Sequence, residues 1–360
     1  MNTKNKKYQL KGLTVSELRE YFESIGETKF RGEQVFNWMY NHLSTDFSEM
    51  QNLPKTLREK LDEGCSLKTL DVVTVQDSPS TGTKKYLFKT EDGKNIESVV
   101  IPEKDRSTLC ISTQVGCPLD CKFCATGLMG YKRNLTAGEI VDQYFMAAKA
   151  NGRAGALHGK QAITNIVYMG MGEPLLNFNN TLKSLQIFTT ELNTGISRNR
   201  ITVSTSGIPN KIKELADREI RVKLALSLHS CFENIRTLIM PINKKYSLAE
   251  NIEAIKYYLN KTKTRITFEY TMLKGINDRD EDVKALTKLC KQLPAKINVI
   301  PFNSIAHMAP DGISAELEPT SRNKIHDFVE KLRNNNITVM IRETQGDDIA
   351  AACGQLAVKY

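Results

Sequence analysis

From residue 108 to residue 341 the chain alternates between short apolar or β-branched runs and longer amphipathic stretches, and this alternation restricts the fold more than any other feature. Strands are expected at 109–113, 164–168, 201–203, 222–228, 265–270, 297–300 and 338–341. Helices are expected between them at 137–150, 180–191, 208–217, 248–260 and 281–292, with another at 321–334. Repeated strand–helix units pack as a parallel sheet with helices outside it. About six such units suit an α/β fold of the partial (β/α)6 TIM-like kind, in which chemistry sits on the loops after the C-terminal ends of the strands.

At 360 residues the chain exceeds one ordinary domain. Residues 1–68 read as a small helical accessory domain. Apolar residues fall at helical spacing (Leu18, Phe22, Ile25; Val35, Trp38, Met39), and Thr14 and Asp46 are cap or turn residues. Residues 69–105 change character. Their β-branched and aromatic runs at 72–75, 84–88 and 96–101 are separated by Pro79, Gly82 and the hairpin pair Asp92-Gly93. They are expected to form a small antiparallel sheet, a linker to a core spanning 106–360. No apolar run approaches the roughly 18–20 residues of a membrane span. Residues 1–11 are polar and Lys-rich, unlike a secretory signal. A cytoplasmic chain is expected.

In that compartment disulfides are rare, so the eight cysteines point to metal or catalytic roles. Cys117-Pro-Leu-Asp-Cys121-Lys-Phe-Cys124 follows the first core strand. Three close thiolates can hold three corners of a [4Fe–4S] cubane and leave one iron open for a cofactor. A structural zinc site would want a fourth Cys or His nearby, and the next is His158. A Cys121/Cys124 redox pair would leave Cys117 without a role.

This C-x3-C-x2-C spacing, with Phe123 before the last Cys, resembles the signature of the radical S-adenosylmethionine (SAM) superfamily. The resemblance implies a radical SAM barrel in which the open iron holds the amino and carboxylate groups of SAM. One electron then yields methionine and a 5′-deoxyadenosyl radical. Further segments sit where that family binds SAM. Met169-Gly170-Met171-Gly172-Glu173-Pro174 follows the next strand, where glycines permit close approach and Glu173 can accept from an ammonium group. Ser204, Ser227-Leu228-His229 and Asn303 follow at later strand ends. Singly, each also reads as a cap or a turn.

Two lone cysteines remain near these motifs. Cys110 precedes the three-cysteine loop, and Cys353 lies in Ala-Ala-Cys-Gly-Gln-Leu after Gly346-Asp-Asp-Ile349. A Cys among alanines is ordinarily a small buried hydrophobe. The ordered set of Ala125-Thr126-Gly127, residues 169–177, Ser227-Leu-His229, Met240-Pro-Ile-Asn243 and residues 346–356 resembles the RlmN family of bacterial RNA methyltransferases, as do Phe30-Arg31 and Leu53-Pro-Lys55. That resemblance implies methylation of adenine C2 in 23S rRNA and in some tRNAs, with two SAM molecules per turnover. It implies that Cys353 carries the methyl group, Glu97 accepts a proton and Cys110 resolves the enzyme–RNA adduct through a transient disulfide with Cys353. It also implies an electron donor such as flavodoxin and a monomeric enzyme. The indirect route has a chemical reason: adenine C2 and the SAM methyl are both electrophilic, so direct displacement fails.

Three rivals differ in what they predict. A C8-specific relative of the antibiotic-resistance type shares the two-cysteine chemistry, but is associated with Gly-Glu-Ala where this chain has Gly172-Glu173-Pro174. A non-catalytic RNA-binding protein predicts zinc and an inert Cys353. A radical SAM enzyme acting on a small molecule needs no basic surface. Here the net charge is +9, and acid-free windows occur at 143–172 (Lys149, Arg153, Lys160), 192–213 (Arg198, Arg200, Lys211, Lys213) and 234–249 (Arg236, Lys244, Lys245). They could line a rim for an RNA backbone, or be scattered solvated charges.

Overall fold

The computed structural model describes residues 7–151, 163–192, 196–218 and 220–358. One open sheet of ten strands organises it: β1 (Leu70–Asp77), β2 (Lys84–Thr90), β3 (Asn95–Glu103), β4 (Arg106–Cys110), β5 (Asn165–Tyr168), β6 (Ile201–Thr205), β7 (Lys223–Ser227), β8 (Ile266–Met272), β9 (Ala295–Pro301) and β10 (Val339–Ile341). Their order across the sheet repeats their order in the chain. β1 to β4 pair antiparallel. From β4 to β10 every pair is parallel, with helices between successive strands. This is the α/β architecture, a parallel sheet with helices between its strands, that the alternation predicts.

Two departures from the sequence reading have local causes. The strands expected as a separate linker sheet are the antiparallel margin of the main sheet. Five consecutive residues of β3, Ile96 to Val100, are buried, and a strand covered on both faces belongs inside a larger sheet. The β2–β3 hairpin turns where Asp92-Gly93 predicts it. Thr90 and Lys94 close a three-residue loop whose last residue, Gly93, has φ +77°. The second departure is β4, which ends at Cys110 rather than Thr113. Residues 111–113 leave the ladder to hold the segment after β5: Thr113 N–H donates to Met171 O and Gly170 N–H to Ile111 O.

Several helices start where a side chain satisfies their first amide groups. Thr14/Glu17, Thr136/Glu139 and Ser247/Glu250 form capping boxes, and Asp46 accepts from Ser48 N–H. The helices Val15–Ser24, Lys29–Tyr40 and Lys55–Gly64 bury Leu18, Phe22, Val35, Phe36, Met39 and Tyr40 in the same apolar core as the sheet. Their docking is also polar. Buried Lys11 pairs with Asp142 at 3.6 Å, and Asp142 accepts from Thr69 and Leu70 amides. Gly12 packs so close to Gly138 that a Cβ would lie 2.2 Å from its nitrogen. Among the described residues, no helix is long and apolar enough to cross a membrane.

Candidate active site

The three-cysteine loop is an excursion from a small ribbon formed by Gln114–Gly116 and Tyr131–Asn134, a pair the sequence reading missed. Cys117 N–H donates to Gly130 O at 3.0 Å, closing the excursion. Gly116 makes this possible. Its φ is +74°, and a Cβ there would lie 1.8 Å from Gly130 O. Inside the loop, Cys124 N–H donates to Cys121 O and Gly127 N–H to Cys124 O. Cys117, Cys121 and Cys124 line one void of about 120 Å³ together with Gly170, Gly172, Glu173, Ser227 and His229. Burial pushes all three thiols up, Cys117 to about 12, and the proximity of the other thiols adds to this for each of them except Cys124, where Cys353 does.

An adjoining cavity of about 150 Å³ is lined by Cys124, Met169, Gly172, Glu173, Ser204, Ser227, His229 and Cys353. The strand-end residues expected around SAM thus share one space, except Asn303, which lines the larger cavity described below, and Leu228. Its side chain is fully buried in the core, and its N–H is used by Glu269 O, so the structure does not bring it to the cavity. The glycines of the Met169–Pro174 segment serve the protein's own packing: a Cβ on Gly170 would meet Ile111 O at 2.6 Å, and one on Gly172 the Gln114 side chain at 2.5 Å. Glu173 is buried and accepts from the Leu175 and Ser206 amides. Burial pushes its carboxyl up, those bonds partly offsetting the shift.

His229 is set with unusual definition. It holds φ +54°, its ring meets Phe123 edge-on, and Nδ1 accepts from Thr271 N–H at 2.9 Å. The proton of the neutral ring therefore sits on Nε2, which donates into the cavity and is no metal ligand in that form. Burial, aided by the Arg236 charge, lowers its pKa to about 3, so the ring is neutral at physiological pH.

Cys353 is the exposed cysteine, carried on a loop after β10 whose two neighbours Ala351 and Ala352 are buried. Distant residues hold this loop. Asn303 Nδ2 donates to Cys353 O, Ala125 N–H to Gly354 O at 2.7 Å, and Thr126 Oγ1 to Leu356 O at 2.6 Å. Gln355 donates to Ser304 O and Asp347, and Asp348 accepts from Ser78 and Ser80. Asn303 thus acts on the Cys353 loop itself, a role the sequence reading did not give it.

Cys110, the last residue of β4, lines with Cys353 a third cavity of about 370 Å³ that continues into the barrel. Both thiols are free. Burial first, then the nearness of Cys353, pushes Cys110 up to about 12, and Arg342 opposes the shift. Arg342 and Glu269 are the residues the sequence reading missed here. Arg342 follows β10 and faces Cys353, Cys110 and Glu269, whose charges hold its own pKa up. Glu269 Oε1 accepts from Asn298, while Oε2 is buried with no partner among the described residues.

Glu97 is not the exposed strand carboxylate that pattern alone would give. It is buried on β3, its Oε1 lies 3.1 Å from Lys85 Nζ, and its Oε2 accepts from Ala357 N–H. It clamps the segment after Cys353 and does not line the cavities described above. The basic windows also divide. Lys244 and Lys245 are exposed and follow a loop beyond the C-terminal end of β7. Arg198 and Arg200 precede β6, at the opposite end of the strands. Arg236 is fully buried and so belongs to no rim. Arg153 and Lys160 lie outside the described residues.

A parallel sheet bearing this loop at its C-terminal edge is the arrangement of a radical SAM enzyme, and the model of the radical SAM superfamily matches residues 111–287. The model of the ribosomal RNA large subunit methyltransferase N-terminal domain matches residues 8–67. A "Dual-specificity RNA methyltransferase RlmN" from Marinomonas sp. is 44% identical over 98% of this chain and 93% of its own. A "Probable dual-specificity RNA methyltransferase RlmN" from Flavobacterium psychrophilum is 43% identical over 98% of each. The crystal structure of a radical SAM methyltransferase from Sphaerobacter thermophilus superposes with a TM-score of 0.88 at 40% identity, covering 97% of this chain and 99% of that one. The chain belongs to the RlmN family of radical SAM RNA methyltransferases.

Membership implies a [4Fe–4S] cluster and SAM. The residues fit both. Three thiols face a single void, the one imidazole beside them has its Nδ1 lone pair engaged, and a buried Arg236 Nε nearby lacks a partner. Soft thiolates are the donors such a cluster takes.

Proposed function

We propose that this chain methylates C2 of an adenosine in 23S rRNA, and of an adenosine in some tRNAs, through a methyl group carried on Cys353. The observation that carries the reading is the grouping of five cysteines. Three line one void, and Cys353 and Cys110 share the cavity beside it. Cys117, Cys121 and Cys124 would hold the cluster, and Glu173, Ser204, Ser227, His229 and Asn303 would surround SAM. With one electron from a low-potential donor, the bound pair supplies a 5′-deoxyadenosyl radical.

In this reading Cys353 takes a methyl group onto its sulfur by displacement from a first SAM. It then gives one hydrogen atom of that methyl to the radical and bonds through the methylene carbon to adenine C2. The adduct so formed gives one electron back to the couple that supplied it, and Glu97 accepts the C2 proton, leaving a thioether between Cys353 and the base. The Cys110 thiolate next attacks the Cys353 sulfur. The carbon–sulfur pair stays on carbon, which takes up a proton to become the methyl group, and a Cys110–Cys353 disulfide remains. Arg342, beside both sulfurs, would favour the thiolate that attacks. Glu97 must first release Ala357 N–H to act, which couples proton transfer to movement of the Cys353 loop. The target base must leave its stack for its C2 edge to meet the Cys353 sulfur.

The experiment is mass spectrometry of digested RNA after anaerobic incubation of reconstituted enzyme with SAM, reductant and protein-free 23S rRNA or tRNA. Product should be 2-methyladenosine, absent with Cys353→Ala. Formation of 8-methyladenosine would move the chain to the C8 class. Deoxyadenosine without methylated base would refute the RNA substrate.

A further inference from the structure

Arg236 is the largest side chain that the fold buries completely. It lies on the helix Glu233–Ile239, which packs with residues 240–244 against the outside of the three-cysteine loop. Ile239 and Met240 share an apolar cluster with Leu119, Cys121 and Ala125, and Lys122 N–H donates to Ile239 O. The guanidinium reaches the backbone of Ser206 and Ser227, two residues that line the three-cysteine void. Nη2 donates to Ser206 O at 2.6 Å and to Ser227 O at 3.3 Å, Nη1 donates to Asn243 Oδ1, and Nε is buried without a partner. Its nearest acid acts through an intermediary: Asn243 Nδ2 donates to Glu233 Oε2 at 2.6 Å, and Glu233 Oε1 accepts from Leu248 N–H.

This is an unusual way to bury a charge. A guanidinium withdrawn from water normally sits against a carboxylate, because neutral acceptors replace only part of its hydration. Among the described residues Arg236 has no ion-pair partner within 4.0 Å. The missing negative charge is what a filled cluster site provides: three thiolates on the iron–sulfur core leave a net negative charge, and reduction adds one electron with no proton. A fixed cation beside such a site stabilises its reduced form more than its oxidised form.

We propose that Arg236, held by Asn243 and biased by Glu233, is the counter-charge of the cluster and sets its reduction potential. The inference rests on the cluster reading given above. It gives Asn243, a motif residue with no part in the catalytic scheme, the role of a positioning residue. It also explains why a basic residue in an acid-free window points inward.

The test is a reductive titration of the reconstituted full-length protein against mediators, followed by electron paramagnetic resonance of the reduced cluster. Arg236→Gln should lower the fraction reduced at a fixed potential about tenfold or more, equivalent to about 59 mV for a one-electron couple. Glu233→Gln removes the opposing charge and should move the midpoint the other way, about twofold, because Glu233 lies at the surface. Asn243→Asp sets a carboxylate on the guanidinium and should shift the midpoint in the same direction as Arg236→Gln, which keeps the test available if Arg236→Gln fails to fold. Equal midpoints at equal iron content would overturn the proposal, as would shifts of one sign in all three variants. A wild-type protein that takes up no cluster would instead refute the cluster reading.

Discussion

Between Cys117 and Gly130 the chain leaves a ribbon and returns to it, and the pairs that close the excursion, from Gln114–Asn134 to Cys117–Gly130, join residues at most 20 positions apart. The Cys353 loop has turn bonds of its own, such as Ala351 N–H to Gly346 O, but what holds it against the same space comes from far along the chain. Its acceptors and donors lie on Asn303, Ser304, Ala125, Thr126, Glu97 and Ser78, and the Glu97–Ala357 bond spans 260 positions. The first segment is shaped by its own sequence, the second by the finished fold. The difference suits their proposed tasks, since a cluster needs ligands that stay in place and a sulfur that bonds to a substrate must be able to move.

The two segments should therefore fail differently. The largest effect is expected for Cys121→Ala, which should abolish the visible thiolate–iron absorption and bring deoxyadenosine and methylated base to background. Cys353→Ala should remove only the methylated base while deoxyadenosine continues to form. Loss of both in Cys353→Ala would break the comparison, because the loop would then be needed for cluster chemistry. On stability, Gly116→Ala should cost about 4 kcal/mol, since its Cβ meets a backbone oxygen at 1.8 Å from a φ of +74°. Gly354→Ala, with φ +85° and 3.1 Å to Phe123 O, should cost about 1 kcal/mol. Thermal melts of cluster-free protein measure both, and equal losses would contradict the distinction.

A pH series sharpens the same contrast on the cluster side. His229 has a folded pKa of about 3 against an ordinary 6.5. Below pH 6.5 the unfolded chain takes up a proton that the folded chain refuses, so this contribution to stability falls as pH drops toward 3. The slope is at most about 1.4 kcal/mol per pH unit. His229→Gln should flatten the acid side of the stability curve, and an unchanged slope would show that the ring is not neutral in the fold. The smallest effect is expected for Gln355→Ala. It should leave the global melt within about 1 kcal/mol but speed hydrogen exchange at 346–357, which exchange mass spectrometry would detect.

What the sequence disclosed follows the same division. The parallel strands were legible because each is a short apolar run between amphipathic helices, and the three-cysteine loop because its ligands are close in sequence. The antiparallel margin was legible as strands but not as part of the main sheet, because the tight turn that pairs β3 with β4, Lys104-Asp105, lacks the Asn-Gly or Asp-Gly pair that marks a hairpin. Leu228 was drawn into the SAM group by its neighbours, whereas its apolar side chain goes to the core. Arg342 and Glu269 escaped notice because a lone charge at a strand or strand end looks the same facing water as facing a cavity. Arg236 was read as surface charge for that reason, and only burial tells the two apart.

The matching order of strands in chain and sheet has a consequence for assembly. Each strand, once made, finds its partner already beside it, so the sheet can grow from one edge during synthesis without waiting for distant contacts. Residues 346–358 are made after all ten strands, yet they fasten onto Ser78, Lys85 and Glu97 at the edge made first. Cys353 thus arrives as the closing clasp, joined to a body whose three-cysteine loop is already in place.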